Sequence, residues 1–459
     1  MNGNGVPTDV LIAGGGSVGL MLAVLLRHHG IEPLVVEGRP ELSPHPRATG
    51  VGSRSMEILR EVGLEQTVNE AAVDLQAGKI GGRTLAEADY AEGAAWKAST
   101  AEITYTPARI RGICAQNRLD RVLITRAGDV EFGVALDSFE QDADGVTATL
   151  SDGRIVRARY LVAADGVRSR VRELLGIGLT GPGVIGHETT SILFDADLHP
   201  PKPFAMCNID HPDATGLLVT VDGNREWVFL TRLDTTPTPD LLRTALGDPS
   251  IEVNIRSILK FRGRGQVADR LSSGRVFLGG DAAHAIPPLG AFGLNTGIAD
   301  AHNLAWKLAH VLRGEAVPEL LDTYHAERHP VALMTMNQAH LRFNNPSLHW
   351  GQDMAEARKA AGALNAPVVH MGYRYSTAEL PSTEDIILNL VGSPGSRLPL
   401  LWVTDGLSTL DLVDSQWCVF TADPELKSDL PVHLIDNWPY GTLLVRPDGF
   451  VSHPYRTPC

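Results

Sequence analysis

The stretch Gly279-Gly280-Asp281-Ala282-Ala283-His284-Ala285-Ile286-Pro287-Pro288-Leu289-Gly290-Ala291-Phe292-Gly293-Leu294-Asn295-Thr296-Gly297 decides the fold of this 459-residue chain. It reads as the end of a buried strand, a carboxylate, a rigid double-proline turn and a glycine-rich loop that opens a helix. A helix start of this kind offers unpaired backbone N–H groups and the positive end of the helix dipole. Far upstream stands Gly14-Gly15-Gly16-Ser17-Val18-Gly19, between a short apolar strand (Asp9 to Ala13) and an apolar-spaced helix (Ser17 to His29, closed by Gly30). In this Gly-x-Gly-x-x-Gly pattern the first glycine permits a tight turn. The second lets the backbone approach a pyrophosphate, and the third lets helix and strand pack closely.

Two such half-sites far apart in sequence point to a long cofactor gripped at both ends, FAD rather than NAD alone. Glu37 ends the next strand (Glu32 to Glu37), eighteen residues after Gly19. A carboxylate there accepts hydrogen bonds from ribose hydroxyls and repels a 2′-phosphate. Arg47, in Pro46-Arg47-Ala48-Thr49-Gly50, is placed to reach phosphates or the flavin edge. Gln116 and Arg118 precede a helix (Arg118 to Ala127) and are candidate donors to cofactor oxygens, with cap and surface roles as the alternative. Asp165 opens Asp-Gly-x-x-Ser-x-x-Arg after a strand; it is expected to cap the following helix and to add a contact to cofactor or nicotinamide. Asp281 is placed to accept from a ribityl hydroxyl. Pro287 and Pro288 fix a carbonyl direction, and Gly293, Leu294 and Asn295 present N–H groups to negative charge on a reduced isoalloxazine. The candidate catalytic groups are therefore Arg47 and the backbones of Pro288 and Asn295. His284 reads as structural, and His302 and Trp306 as packing.

Composition narrows the function classes. Hydrophobic residues make up 43% and charged residues 20%, ordinary for a soluble globular protein, and the net charge of −14 argues against a nucleic-acid partner. The apolar run Val18 to Leu26 is too short to span a bilayer, and the polar start reads as no signal peptide. Cys114, Cys207, Cys418 and Cys459 form no Cys-x-x-Cys pair, which suits a reducing cytoplasm. His325 and His329 share a helix face but lack the His-Glu-x-x-His order, so no metal is expected.

Along the chain, Arg54 to Val62 reads as a helix and Asp74 to Tyr105 as strands or loops projecting from the first domain. Val146 to Leu150 and Arg154 to Arg157 flank a Ser-Asp-Gly hairpin turn, and Tyr160 to Ala164 is a buried strand. Period-two patterns at Thr189 to Leu193, Gly216 to Val221 and Glu226 to Thr231 predict a separate antiparallel sheet facing the substrate. Helices are expected at Leu241 to Leu246, Asn295 to Leu312, Pro318 to Leu341 (kinked near Pro330) and Gln352 to Ala363. The last sixty residues read as a small α/β appendage.

Taken in order, these motifs resemble the single-component FAD-dependent aromatic hydroxylases related to p-hydroxybenzoate and phenol hydroxylases. The loop Pro287 to Gly297 with Asp300-Ala301-His302-Asn303-Leu304-Ala305-Trp306-Lys307-Leu308-Ala309 is most similar to the aromatic polyketide hydroxylase branch. Gly395-Ser396-Arg397, Ser408-Thr409-Leu410-Asp411-Leu412 and Leu444-Val445-Arg446-Pro447-Asp448-Gly449 are similar to the thioredoxin-like C-terminal domain of that branch. The resemblance implies an α/β fold: an FAD-binding Rossmann-like domain over residues 1–75, 106–178 and 266–345, and an antiparallel β substrate domain over 76–105 and 179–265. It adds a helical connector over 346–394 and an abbreviated thioredoxin-like domain over 395–459. It implies FAD contacts from Gly14, Gly16, Gly19, Glu37, Arg47, Gln116, Asp165, Asp281, Leu294 and Asn295; Ser17, Val18, Gly38, Arg39, Arg118, Pro288 and Gly293 complete the candidate cofactor-binding set. The family often has arginine directly after the strand-two acid; here Gly38 stands there and Arg39 follows. The implied activity is hydroxylation of a phenolic, polycyclic polyketide-type substrate. NADPH or NADH reduces FAD, O2 adds at flavin C4a as a hydroperoxide, and the ring attacks the distal oxygen. Baeyer–Villiger insertion on the same scaffold and a non-catalytic flavin-containing polyketide binder are the alternatives. A monomer or homodimer without a membrane partner is expected.

Overall fold

The computed structural model describes residues 6–75, 77–90, 105–108, 110, 112–234, 236–350, 355–375 and 389–454. Residues 91–104 of the stretch read as projecting strands or loops lie outside the described residues, as do the last residues, including Cys459. Among the described residues no helix is long and apolar enough to cross a membrane.

The first strand, Val6–Ala13, pairs in parallel with Leu34–Glu37 on one side and Ile155–Ala163 on the other. Val130–Phe132 extends the sheet beyond Leu34–Glu37, and Val276–Leu278 joins Ile155–Ala163 in parallel. The central parts of these strands, residues 10–13, 35–36, 160–163 and 276–278, are continuous apolar and buried runs because both faces are covered there, as parallel sheets require. Helix Ser17–His28 buries Leu20, Met21, Leu22, Ala23, Val24, Leu25 and Leu26 against this sheet and against helix Phe292–Leu312. The expected hairpin is present, Val146–Leu150 running antiparallel to Ile155–Ala163. The two strands expected at 154–157 and 160–164 are one: its first half pairs with the hairpin and its second half enters the parallel core.

A second sheet has seven strands, from His284–Ala285 through Asn254–Ala268, Leu179–Asp195, Glu226–Thr231, Gly216–Thr220 and Phe204–Ile209 to Ala77–Gly82. Its three expected strands are there. The 17-residue strand Leu179–Asp195 and the 15-residue strand Asn254–Ala268 exceed what period two shows. Both bear many exposed residues of either polarity, which erases the alternation that identifies a half-buried strand. The boundary expected between residues 265 and 266 falls inside the second of these, and His284–Ala285 adds an edge strand from the opposite side of that boundary. One face of this sheet packs Phe194, Phe204, Trp227 and Phe229 against helix Pro239–Leu246.

Helix Phe292–Leu312 starts three residues earlier than expected. The expected helix from Pro318 is a short 3₁₀ turn, Pro318–Leu321, followed by helix Asp322–Asn344 with Pro330 inside it. The expected Gln352-to-Ala363 helix is described as Ala355–Ala361. The tail carries a four-stranded sheet, Val432–Leu434, Cys418–Thr421, Leu443–Val445 and Val451–Pro454. The expected α half of this appendage is not found among its described residues, which are strands and turns.

Candidate functional site

The fingerprint is built as its glycines require. Gly14 has φ +115°, and a Cβ there would come within 2.3 Å of Ala164 O. A Cβ on Gly19 would meet Gly14 O at 1.9 Å, the close helix–strand approach. Gly16, which caps the helix, is different: the nearest atom to its Cβ position is Arg39 Nη2 at 3.9 Å, so packing inside the protein does not demand glycine there. The space is open where a pyrophosphate must approach. No side chain caps this helix and no acidic residue lies in its first turn, so its N–H groups face that space.

Val18 joins the two motifs. A Cβ on Gly280 would lie 2.7 Å from Val18 Cγ2, and one on Gly297 would lie 2.5 Å from the same methyl. The fingerprint turn and the Gly280-Asp281 turn therefore touch. Arg172 ties the Asp165 segment to the Gly280-Asp281 turn, with Nη1 donating to Ala282 O at 2.8 Å and Nη2 to Val167 O at 3.1 Å. Asp165 Oδ2 accepts from Val171 N at 3.1 Å, the expected cap, and its Oδ1 is buried with no partner. Burial pushes this carboxyl above its usual range, against the pull of hydrogen bonds from Ser169 and the helix start.

Glu37 is already engaged. Gly15 N donates to its Oε2 at 2.8 Å, and Arg39 donates to its Oε1 from the backbone N at 2.9 Å and from Nε at 3.0 Å. Burial opposes the charge, but the Arg39 bonds outweigh it and hold the carboxyl below its usual range. Gly38 is confined by Ala135 Cβ, 3.3 Å from a Cβ position. Ser17 donates to Asp120 and accepts from Gln116 Nε2 at 2.9 Å, so Gln116 acts through Ser17. Asp120 was not anticipated; burial pushes it up to about 6, against the Ser17 hydrogen bond. Arg118 turns aside, its Nε donating to Ala71 O at 2.8 Å. Arg47 is exposed and makes no hydrogen bond among the described residues.

Asp281 sits in a 3₁₀ turn, Gly280–Ala282. Its carboxylate is open to solvent yet crowded by protein. The resulting desolvation raises it above its usual range, against His284 and Arg47, and no described residue hydrogen-bonds to it. Beyond Pro288, Ala291 takes a left-handed φ of +55° and starts the helix with no side-chain cap and no acidic residue in the first turn. The N–H groups of Gly293 and Leu294 are thus free for an acceptor. The Asn295 side chain has a structural task. Its Nδ2 donates to Ala291 O (2.6 Å) and Gly50 O (3.1 Å), and its Oδ1 accepts from Gly52 N (2.7 Å) and Ser55 Oγ (2.7 Å).

His284 is fully buried with Nε2 2.6 Å from Asp300 Oδ2, and Arg328 Nε donates to Asp300 Oδ1 at 2.8 Å. His302 bridges Glu61 (2.8 Å) and Arg54 (3.3 Å), and Trp306 packs beside Lys307 and Arg446. The side chains of His284, His302 and Trp306 are all held by contacts inside the protein, His302 by hydrogen bonds where simple packing was expected. Sequence reasoning missed how many buried ions join the tail to the parallel-sheet domain. Arg397 holds Glu57, and Arg446 pairs with both Glu327 (2.6 Å) and Asp448 (2.6 Å). Buried charges look like surface charges in a sequence until their partners are seen.

A depression of about 490 Å³ bordered by Pro7, Glu32, Arg157 and Arg159 lies at the opposite, N-terminal ends of the parallel strands and holds none of the candidate residues. Ligands of such sheets bind at the carboxyl ends. The unfilled space at Gly16 and the two uncapped helix starts fit the negative charge of a dinucleotide, and the unpartnered Asp281 carboxylate fits its hydroxyl groups.

The FAD binding domain family matches residues 7–339. This chain belongs to that family. It is 37% identical to tetracenomycin B2 monooxygenase-dioxygenase of Streptomyces olivaceus, over 97% of this chain and 95% of that one. Among solved structures it resembles chromopyrrolic acid-soaked RebC with bound 7-carboxy-K252c (TM-score 0.84, 30% identity, 99% and 97% coverage). It also resembles a ternary complex of aklavinone-11 hydroxylase with FAD and aklavinone (TM-score 0.81, 32% identity, 98% and 95% coverage). The chain is an FAD-dependent enzyme of the monooxygenase class, in the aromatic polyketide hydroxylase branch.

Proposed function

We propose that this enzyme hydroxylates a phenolic ring of a polycyclic aromatic polyketide, spending NADPH or NADH and O2. One oxygen atom enters a C–H bond of the ring and the other leaves as water. The observation that carries this reading is the contact, through Val18, between the anion-accepting helix start at Gly16 and the turn that presents the Asp281 carboxylate to hydroxyl donors, beside an apolar sheet face. That face carries Leu193, Val219 and Val228 packed with Ala115, flanked by Met206, Leu217 and Leu230. Aliphatic side chains of this kind give an apolar wall that suits the faces of fused aromatic rings.

FAD, when bound, supplies the reducing equivalents and activates the oxygen. The protein's residues do the rest. Gly16 admits the pyrophosphate to the helix start. The carboxylates of Glu37 and Asp281 accept from ribose and ribityl hydroxyls, and Arg47 offers a cation to the cofactor. The N–H groups of Gly293 and Leu294 face the charge that reduction places on the ring system. The carbonyl of Pro288 and the backbone of Asn295 border the reacting face. The apolar sheet excludes water. The buried free thiols of Cys114, Cys207 and Cys418 support a reducing cytoplasm as the setting, with the enzyme a monomer or homodimer.

Incubation with aklavinone-type polycyclic phenols, NADPH and isotopically labelled O2 tests the reading by product mass. One labelled oxygen in a new ring hydroxyl is expected. A lactone would assign Baeyer–Villiger insertion instead. Bound FAD without any NADPH or NADH oxidation on such phenols would overturn the enzymatic reading.

A further inference from the structure

The loop between strand Leu34–Glu37 and helix Ser53–Glu61 is pinned along its length. Asn117 Nδ2 donates to Pro44 O at 2.9 Å, Gln116 N donates to Ala48 O at 2.8 Å, and Asn295 holds Gly50 and Gly52. His45 supplies the remaining anchor, and it reaches a different body. Its Nε2 lies 2.7 Å from Ser191 Oγ and its Nδ1 3.2 Å from Ser257 Oγ, on the two long strands of the second sheet. The ring is buried. Burial, with the Arg47 cation beside it, lowers its pKa to about 4 and keeps it neutral. A neutral imidazole has one N–H and one bare nitrogen, so it donates to one hydroxyl and accepts from the other.

The two serines share a side of the sheet with the apolar face described above. Ser191 is two residues before Leu193, and Ser257 is the register partner of Leu193. On the loop side, His45 is one residue from Pro46 and two from Arg47. Proline fixes its own φ and restricts the residue before it, so little slack separates the imidazole from the guanidinium. Arg47 itself makes no hydrogen bond among the described residues, and its charge reaches both Asp120 and Asp281.

We propose that His45 is a positioning residue: the Ser191–His45–Ser257 bridge ties the substrate-facing sheet to the loop that carries Arg47 and sets where that guanidinium stands against the cofactor. The inference rests on the reading of Arg47 as a cofactor contact. It makes the second sheet part of the flavin site, so a ring seated against Leu230, the partly buried register partner of Ser191, presses on the same strands that hold Arg47 in place.

The test is a double-mutant cycle with two readouts: affinity of the apoprotein for FAD, from quenching of flavin fluorescence, and the rate at which NADPH bleaches the bound flavin without oxygen. Ser191→Ala is expected to weaken FAD binding by about tenfold, the scale of a lost buried hydrogen bond. Ser191→Thr, which keeps the hydroxyl, is expected to restore it. The pair Ser191→Ala/Arg47→Ala is expected to bind FAD no more weakly than Arg47→Ala alone, because both act on one contact. Losses that multiply in the double variant, or wild-type behaviour of Ser191→Ala, would overturn the positioning role. An Arg47→Ala protein that binds and reduces FAD as the wild type does would instead sink the reading of Arg47 on which the inference rests.

Discussion

The methyl groups of Val18 fill the space beside Gly280: a Cβ on that glycine would lie 2.7 Å from Val18 Cγ2. This contact locks the fingerprint turn to the Asp281 turn, two motifs with no sequence proximity. Gly280 also has φ +58°, a conformation that L side chains rarely adopt. Gly280→Ala is therefore expected to destabilise the protein by about 2–4 kcal/mol, from overpacking and backbone strain together. Val18→Ala opens the space, so the double variant is expected to recover part of the loss. Urea unfolding of the four proteins measures it, and purely additive losses would show that the two residues do not press on each other.

The fingerprint glycines are expected to divide by role. Gly14→Ala meets the Ala164 carbonyl at a positive φ and should lower the melting temperature of the apoprotein. Gly16→Ala has open space around it and should leave that temperature nearly unchanged, while weakening FAD binding by at least about tenfold because the methyl occupies the approach to the helix start. Thermal melts and FAD titrations of both variants read the two effects separately.

Asp281 is expected to favour binding at a cost to stability. Folding raises its pKa, so the charged form is disfavoured in the native state, and stability falls as pH rises through the carboxylate range. Asp281→Asn removes that penalty. The apoprotein at neutral pH should be as stable as the wild type or more so, while FAD affinity drops. Denaturant midpoints and FAD titrations decide, and a destabilised variant with normal FAD affinity would contradict both halves.

The tail is held by charge as well as by its own apolar core. Arg397 is fully buried and grips Glu57, which also accepts from Arg54 Nη1 at 2.9 Å. Arg397→Met leaves part of that carboxylate unpaired and is expected to cost about 3–5 kcal/mol. Burial raises the Glu57 pKa, but Arg397 and Arg54 outweigh it and hold the carboxyl below its usual range. Its contribution is thus full above the ordinary glutamate pKa and lost as pH falls through the depressed native value. Acid unfolding followed by circular dichroism should be blunted in Glu57→Gln relative to the wild type.

His29 closes the fingerprint helix and is buried. Burial is the main cause of a pKa lowered from 6.5 to about 4, so the unfolded chain takes up a proton that the native state refuses. Stability attributable to this residue is intact above pH 6.5 and declines as pH falls toward 4, by about 3 kcal/mol at most. His29→Gln should flatten that part of the stability–pH curve in denaturant titrations.

The order of glycines, prolines and acids by itself determined the parallel sheet, the fingerprint helix and the positions of Gly14, Gly16, Glu37, Asp165 and Asp281. Turns, caps and buried strands rest on local stereochemistry, which a single stretch of chain contains. Asp281 was legible as a candidate because a carboxylate stands there between a buried strand and a glycine-rich helix start. Only the tertiary structure decided that Glu37 is already held by Gly15 and Arg39, that Arg118 turns to Ala71, and that Asn295 staples Gly50 and Gly52 with its side chain. It alone decided that Arg397, Arg446 and Asp448 are interior ions, and that the two longest strands are strands along their whole length. The reason is physical. Whether a charge is buried or a strand continues depends on partners far along the chain, and a sequence does not show which distant groups will share the low-dielectric interior.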